Sequence, residues 1–579
     1  MEKRRQCLHK LFLILLAGLI FSWPAATSGQ QSAAFVPGRS PVLPQSGVFL
    51  VFPFENAGAT PRLEWIGAGL EELTIQKLSA AGQRVYSHEG RLDEMDRAGL
   101  PPNAKLSRAT MLHIAQDLDA DYVVFGNFVS DGTSITVNAR VLRVNPVALL
   151  PAVRETGSLD SMMNLHTRLT WRLLTTIDHK FPLSLAEFSK LQRAIYLGAF
   201  EHYIRGLLAG EDYARIRDLK EAARLEPNWP DPAFSLGQVY FTRNDCPSAL
   251  PWFAHVPPTN ERSVEAIFAT GVCYLRLNQP DKAEKLFSKL QQDLKQNMVS
   301  GADLPEILNN LALALARQGK LAAALPSLAR ARELDPDEDG YPFNLGLLSL
   351  QNNDFAAAAA QFREAMDREP DNPEDRAFLI LSMEKEGKKE DASAEREISL
   401  EAFGPNGLPA LKLDGKAESL AKYQRVSSEL DTTALRMQLA TPPAPSSAAA
   451  ESAAPIDPVV AHLRRGRQEL GAGRLDTAEK EFRAALAADP KNALAHRELA
   501  DISRRRGKLD EAVQEMQTSL ALRDSATGRV MLARIYLEQK KPELARAEVA
   551  KAVKLAPNYT EARQLLEHLE KSKPTGGAQ

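Results

Sequence analysis

The feature that most constrains this chain is a short phrase that recurs. It reads Leu225-Glu226-Pro227-Asn228, Glu333-Leu334-Asp335-Pro336, Arg368-Glu369-Pro370, Ala488-Asp489-Pro490 and Leu555-Ala556-Pro557-Asn558. Pro336 and Pro370 stand 34 residues apart, and Pro490 and Pro557 stand 67 apart, or two such periods. From Pro227 to Pro336 is 109 residues, three periods and a short insertion. A unit of this length cannot bury its own apolar face, so neighbours must stack to make a core. The closing proline lacks an N–H and stops the preceding helix, so each unit ends where the chain must turn.

The interior of the units repeats as well. The unit from Pro230 places Gly237, Tyr240, Ala249 and Phe253 at offsets 8, 11, 20 and 24, and the unit from Val264 places Gly271, Tyr274, Ala283 and Phe287 there. The unit from Asp339 carries Leu345, Gly346, Ala358, Phe362 and Ala365. Small residues at offsets 8 and 20 let two antiparallel helices cross closely, and the aromatic residues fill the space toward the next pair. This pattern resembles the tetratricopeptide repeat. Units then begin near Tyr196, Pro230, Val264, Pro305, Asp339 and Pro373, and again near Val459, Ala493 and Ala526. The first and sixth depart from the pattern, as expected of repeats that cap a stack. The expected organisation is a first array over 196–406, a linker over 441–458, and a second array over 459–572 in which Glu561 to Leu569 is a capping helix. Thr441 to Pro455 holds four Pro, six Ala and three Ser, so it is expected to be a solvated, extended linker that leaves the arrays free to move independently. Leu420, Tyr423, Leu430 and Leu435 keep helical spacing and would cap the first array.

The chain before the repeats is different. Val48 to Phe54 and Tyr122 to Val129 are short β-rich apolar runs, and Ile135 to Val144 alternates after the Asp131-Gly132 turn, which predicts a hairpin. Arg62 to Ala80, Leu106 to Leu118 and Leu159 to Ile177 have helical spacing. The predicted fold class is therefore α+β multidomain, with an N-terminal α/β sandwich over 47–180 followed by α-α superhelical solenoid arrays. Phe52-Pro53-Phe54-Glu55-Asn56, Trp65 to Glu72 (WIGAGLEE) and Ala120 to Gly126 (ADYVVFG) resemble the amino-terminal domain of TolB and the curli-secretion-like envelope domains. That resemblance implies an envelope location and protein contacts, and carries no catalytic residues. The β-propeller that follows in TolB is absent, so a role in that system does not follow.

At the N-terminus Lys3, Arg4, Arg5 and Lys10 precede an uncharged run from Leu11 to Trp23, then Ala25 to Gly29. Thirteen residues make about 20 Å of helix, short of a ~30 Å bilayer core. The expectation is a signal peptide over 1–29, with an uncleaved anchor as the alternative, and export to the periplasm or cell envelope. Cys7 would leave with the signal. Cys246 and Cys273 fall in adjacent repeats, as two buried free thiols or as one inter-repeat bridge.

Composition narrows partners without naming one. Hydrophobic residues at 44% and charged residues at 25% exclude wholesale disorder, collagen and a polytopic membrane protein. Lys plus Arg 71 against Asp plus Glu 74 gives no excess of positive charge to coat nucleic acid. The chemistry-bearing patterns are weak. Gly67-Ala68-Gly69 lacks the third glycine of a dinucleotide turn, where Glu72 stands; Asp117, Asp119 and Asp121 begin a calcium loop that Tyr122 and Phe128 do not complete. Ser419-Leu420-Ala421-Lys422 matches a four-residue nucleophile pattern with no companion motif, and no HExxH occurs. No enzyme, cofactor or metal is expected.

What remains is the inner face of the solenoid. The resemblance to tetratricopeptide repeats implies ligand positions on the first helix of each unit. In the second array these include Arg467, Arg497, Arg504, Arg505 and Arg534, whose guanidinium forks suit an acidic segment or a free C-terminus. The bland alternative makes Arg504 to Lys508 a solvated helix end. The Lys of a chaperone-type carboxylate clamp is missing. In the first array the positions are Asn309, Asn310, Phe343 and Asn344, where amides would bond an extended peptide backbone. The expected function is an exported, non-catalytic scaffold that binds protein or peptide segments. A second reading is a small-ligand site at the Gly67 to Gly69 turn, in an accessory of an envelope transport or assembly system; a third is homo-oligomer assembly.

Overall fold

The computed structural model describes residues 47–571 except 59, 102–103, 298–302, 370–371, 405–406, 412–416, 432–457 and 472. The expected signal peptide with Cys7, the Thr441 to Pro455 linker, Pro370 and Leu435 lie outside the described residues. Among the described residues no helix is long and apolar enough to cross a membrane.

The molecule is mostly helical, with a small sheet at its N-terminal end. Strands β1 (Val48–Val51), β2 (Glu55–Asn56), β3 (Arg84–Val85), β4 (Tyr122–Ser130), β5 (Ser134–Arg143), β6 (Ala148–Leu149) and β7 (Val153–Ser158) form it in the order β3-β1-β4-β5-β6, with β2 on β4 and β7 on β5. β1 pairs parallel with both β3 and β4, and the β4–β5 hairpin keeps a register of Val124 opposite Val141 and Phe128 opposite Val137. Its turn is held by Asp131, whose Oδ1 accepts from the N–H groups of Thr133 (2.8 Å) and Ser134 (2.7 Å). Because strand side chains alternate, Phe49 and Val51 face helices α1 (Trp65–Ala80) and α4 (Met162–Ile177). Val48, Leu50 and Phe52 face helices α2 (His88–Arg97) and α3 (Arg108–Asp117). Helix α2 and the polar edge strand β7 were not predicted; β7 reads VRETGS, and only its first residue is buried.

Helical pairs follow. They are Leu197–Leu208 with Asp212–Leu225, Pro230–Thr242 with Cys246–Phe253, Ser263–Arg276 with Pro280–Asn297, Pro305–Arg317 with Leu321–Leu334, Gly340–Gln351 with Phe355–Arg368, and Pro373–Glu386 with Lys389–Phe403. After residue 457 come Pro458–Gly471 with Leu475–Ala488, Ala493–Arg505 with Leu509–Leu522, Ala526–Glu538 with Pro542–Leu555, and a last helix Thr560–Lys571. We number the pairs as repeats 1 to 9. Close approach is real: a Cβ on Gly346 would lie 2.7 Å from the Phe362 ring, and one on Gly271 2.6 Å from Phe287. The offset-24 Phe thus packs back onto its own repeat as well as forward, where Phe362 stacks on Phe378 at 5.2 Å. Cys246 and Cys273 are free, buried thiols, hydrogen-bonded to each other across repeats 2 and 3.

The expected regions are joined by contacts. On the α2 and α3 side the sheet has a core of its own, while the core on the α1 side runs on through Phe200, Tyr203, Trp229 and Leu236 of the first repeats. Trp65 of α1 meets Phe200 edge-on at 6.3 Å, and Tyr203 meets Trp229 at 4.7 Å. This is why repeat 1 departs from the pattern: a large Tyr203 fills the space against the neighbouring repeat, and Gly206 sits where a Cβ would come within 2.8 Å of Leu219. Nor is the second array detached. Arg464 bonds Asp121 (2.6 Å) and Asp119 (3.4 Å), Arg523 pairs with Asp117, and Thr560 bonds Asp96 (2.8 Å). The three aspartates that resembled the start of a calcium loop are in fact its docking contacts on the sheet region.

Candidate functional site

Asn309 and Asn310 lie in the middle of Pro305–Arg317, and Phe343 and Asn344 in the first turns of Gly340–Gln351. All four are buried, and what covers the amides is the chain itself. Residues 424–431, which follow a short helix Ala417–Ala421, lie along the first helices of repeats 6, 5 and 4. Asn344 grips the main chain of Arg425 with both ends of its amide: Nδ2 donates to Arg425 O (2.8 Å) and Oδ1 accepts from Arg425 N–H (2.9 Å). Asn310 grips Ser427 in the same way, donating to its carbonyl (2.9 Å) and accepting from its N–H (3.0 Å). Asn309 joins the two, its Nδ2 donating to Arg425 O (3.1 Å) and Ser427 Oγ (2.9 Å) while its Oδ1 accepts from Asn344 Nδ2 (2.9 Å). Successive repeats therefore read alternate residues of an extended segment that runs against the order of the repeats.

The side chains are read as well. The Arg425 guanidinium lies over the Phe343 ring, 3.8 Å from its centroid, and pairs with both Asp339 and Asp375. Carboxylate oxygens of Asp339, Glu369 and Asp375 lie within 4.8 Å of one another, and two of these acids pair with the guanidinium. Burial pushes the Asp375 carboxyl up to about 7, with Arg425 pulling against it. Upstream, Tyr423 meets Phe378 edge-on at 5.0 Å, and Arg317 donates to Gln424 Oε1 (2.7 Å). Downstream, Asp431 N–H donates to Glu306 Oε1 (3.1 Å), and burial pushes Glu306 up to about 7. Leu420 and Tyr423, expected in an end cap, instead hold the segment against the core of repeats 5 and 6.

The five arginines of the second array are engaged within the chain. Arg504 bonds Asp337 through both terminal nitrogens (2.5 and 2.7 Å), and also Asp501 and Glu538, each at 2.9 Å. Arg505 bonds Asp501 (2.7 Å) and the carbonyl of Leu334 (3.2 Å). Arg534 pairs with Glu561 (2.8 Å) and, more distantly, Asp337. Arg467 and Arg497 both reach Glu498, at 3.3 and 3.2 Å. Although burial works against charge on Arg504, Asp337 and Asp501 hold its pKa above the usual value, and Arg504 holds Asp337 below the usual carboxylate range. Asp337 belongs to the turn between repeats 4 and 5. The acidic segment on this face is therefore a loop of the first array, and Arg504 is a buried contact rather than a solvated helix end.

The turn at Gly67 to Gly69 is filled by protein. A Cβ on Gly67 would stand 2.3 Å from Phe54 O, and one on Gly69 3.0 Å from the Phe200 ring, so these glycines serve packing of α1 on the chain just before β2 and on repeat 1.

Sequence reasoning missed Arg425, Ser427, Asp339 and Asp375. Asp339 and Asp375 open the first helices of repeats 5 and 6, where a helix start and a ligand contact look alike in sequence. Arg425 lies outside every repeat.

Family models described as "Tetratricopeptide repeat" match residues 265–293, 309–373, 463–527 and 526–559. A curated relative, tetratricopeptide repeat protein 8 of Caenorhabditis elegans, is 25% identical over 142 residues, which is 24% of this chain and 27% of that protein. The chain thus spans about a quarter of that relative's length. Among solved structures, MamA from Desulfovibrio magneticus RS-1 is 24% identical, covering 31% of this chain and 98% of that one with a TM-score of 0.28. YrrB, described as a TPR protein with an unusual peptide-binding site, is 16% identical, covering 32% and 91% with a TM-score of 0.27. The matched residues of the two arrays are tetratricopeptide repeats.

Proposed function

We propose that this protein is an exported, non-catalytic scaffold that binds extended protein segments in the groove of its first array. Tetratricopeptide repeats generally mediate protein–protein interaction, and the observation that carries the reading is the two-ended amide grip of Asn344 on Arg425 and of Asn310 on Ser427. Such a grip recognises main chain, which every protein segment offers, and it suits an extended strand because alternate residues lie ~7 Å apart. The envelope location rests on the basic and apolar N-terminal run and on the TolB-like phrases around Phe52 and Trp65. The second array supports the scaffold in another way, as a body docked on the first through Arg504 and on the sheet region through Arg464.

The test is selection of random twelve-residue peptides on the full chain carrying Arg425→Ala, beside the same chain with Asn309, Asn310 and Asn344 also changed to Ala. Enriched peptides that bind only when the amides are intact support the groove. The same enriched set on both proteins sinks it. Cell fractionation with N-terminal sequencing of the mature chain tests export, and a cytosolic, full-length product would end that part of the reading.

A further inference from the structure

Resting on that reading, we infer that the first groove is specific for a segment bearing arginine with a small hydroxyl residue two positions later, and that residues 424–427 hold the site in cis until such a segment of a partner protein replaces them.

The charge count points to a ligand site rather than a staple. Asp339 and Asp375 both pair with one guanidinium, with the Glu369 carboxylate close to them, and Asp375, fully buried, has one oxygen without a hydrogen-bond partner among the described residues. A contact selected only for stability would balance its charges or be apolar, since buried polar networks add specificity more reliably than stability. The Phe343 ring beneath Arg425 is the second half of the reading: a planar cation stacked on an aromatic face and held at its edge by carboxylates is a fit for arginine, not for lysine or for a metal ion. Ser427 is selected more weakly, through Asn309 Nδ2 on its hydroxyl. Val426 between them is half-buried and apolar, so the motif is arginine, one intervening residue, then serine or threonine.

Covalent attachment makes the resident segment a strong competitor. A tethered ligand acts at an effective concentration on the order of millimolar, so a partner segment meets a groove that is mostly filled. Releasing the resident should raise the apparent affinity for an external segment by at least tenfold.

The experiment uses the full chain and a fluorescent peptide of residues 419–431. On Arg425→Ala the peptide is expected to bind at least tenfold tighter than on wild type, to lose at least tenfold when its own arginine is replaced by alanine, and to lose as much when Asp375→Asn is added to the protein. Equal binding of the arginine and alanine peptides overturns the specificity while leaving the groove reading intact. Loss of all binding on a folded Arg425→Ala chain overturns both. Should Arg425→Ala fail to fold, wild type is used with excess peptide carrying Val426→Ile, whose fragments differ in mass from the chain's own. Faster hydrogen exchange over the chain's residues 421–431 supports displacement, and unchanged exchange overturns it. A wild-type dimer that free peptide dissociates would place the segment on a second copy, and the outside partner falls.

Discussion

The two arrays are built from one repeat and fill their inner faces by opposite means. The first holds an extended strand by amides to its main chain and a single arginine; the second holds a folded loop by a lattice of guanidinium and carboxylate groups. The difference lies in what happens when the contact breaks. Residues 424–427 lie in no helix, so their contacts can break without unpacking a repeat, with Tyr423 on Phe378 as the anchor beside them. Asp337 sits in the turn between two packed helices and Arg504 on a helix of repeat 8, so neither can withdraw without moving a whole array. The strand contact is suited to exchange, and the loop contact to fixing two bodies.

The largest effect should follow from breaking the fixed contact. Arg504→Met leaves Asp337, Asp501 and Glu538 facing one another without their shared cation, and removing one partner of a buried ion network costs about 3 kcal/mol. Chemical denaturation should show that loss, together with faster proteolysis between the arrays. Arg425→Ala should cost far less, about 1 kcal/mol or below, because Asp375 can take up a proton and the segment can undock. If the two substitutions destabilise equally, the distinction between an exchangeable and a fixed contact fails.

A change of pH should separate the two faces next. Asp375 is faced by Asp339, Glu369 and Arg425, and with Arg425 in place it titrates at about 7. Burial outweighs the pull of Arg425, so the folded state favours the protonated carboxyl: its contribution is complete below the ordinary 3.8 and is lost as pH rises through about 7. Asp337 runs the other way. Its folded value lies below its ordinary 3.8, so its contribution is present above that value and disappears only in stronger acid. Hydrogen exchange between pH 5 and 8, corrected for intrinsic rate, should show the groove around Asp375 loosening toward the alkaline end while the turn around Asp337 stays protected.

The repeats were legible because their signal is backbone crossing: Gly346 against Phe362 and Gly271 against Phe287 recur at fixed offsets, and any substitution there meets a ring. The groove was legible only by half. Asn309, Asn310, Phe343 and Asn344 stand at ligand positions, but the segment lying on them is 81 to 118 residues away, with no periodic relation to mark it. The arginines are suited to carboxylates, but the residue type says nothing of whose carboxylate it meets, and Asp337 comes from the other array. The boundary after the sheet was invisible since Phe200 and Trp229 look like ordinary repeat aromatics, while Phe200 packs on Trp65 and Trp229 on Phe200.

One regularity unites both arrays and gives the smallest prediction. Between the two helices of repeats 2 to 9 the same offset carries a residue with positive φ: Asn244 (58°), Asn278 (52°), Gly319 (76°), Asn353 (59°), Gly387 (95°), Gly473 (71°), Gly507 (72°) and Lys540 (59°). Seven are Asn or Gly, the residues that tolerate this left-handed region; Lys540 has a Cβ that crowds the following carbonyl, at a cost of roughly 1–2 kcal/mol. Lys540→Gly removes that crowding but gives the unfolded chain more freedom, which takes back roughly half of the gain. A net stabilisation of about 0.5 kcal/mol is expected by denaturant titration. Gly507→Lys, the reverse change one repeat earlier, should destabilise by a similar amount. A loss of stability in Lys540→Gly would show that its side chain holds the turn by a contact outweighing the backbone, and that the second array closes its ninth repeat differently from its eighth.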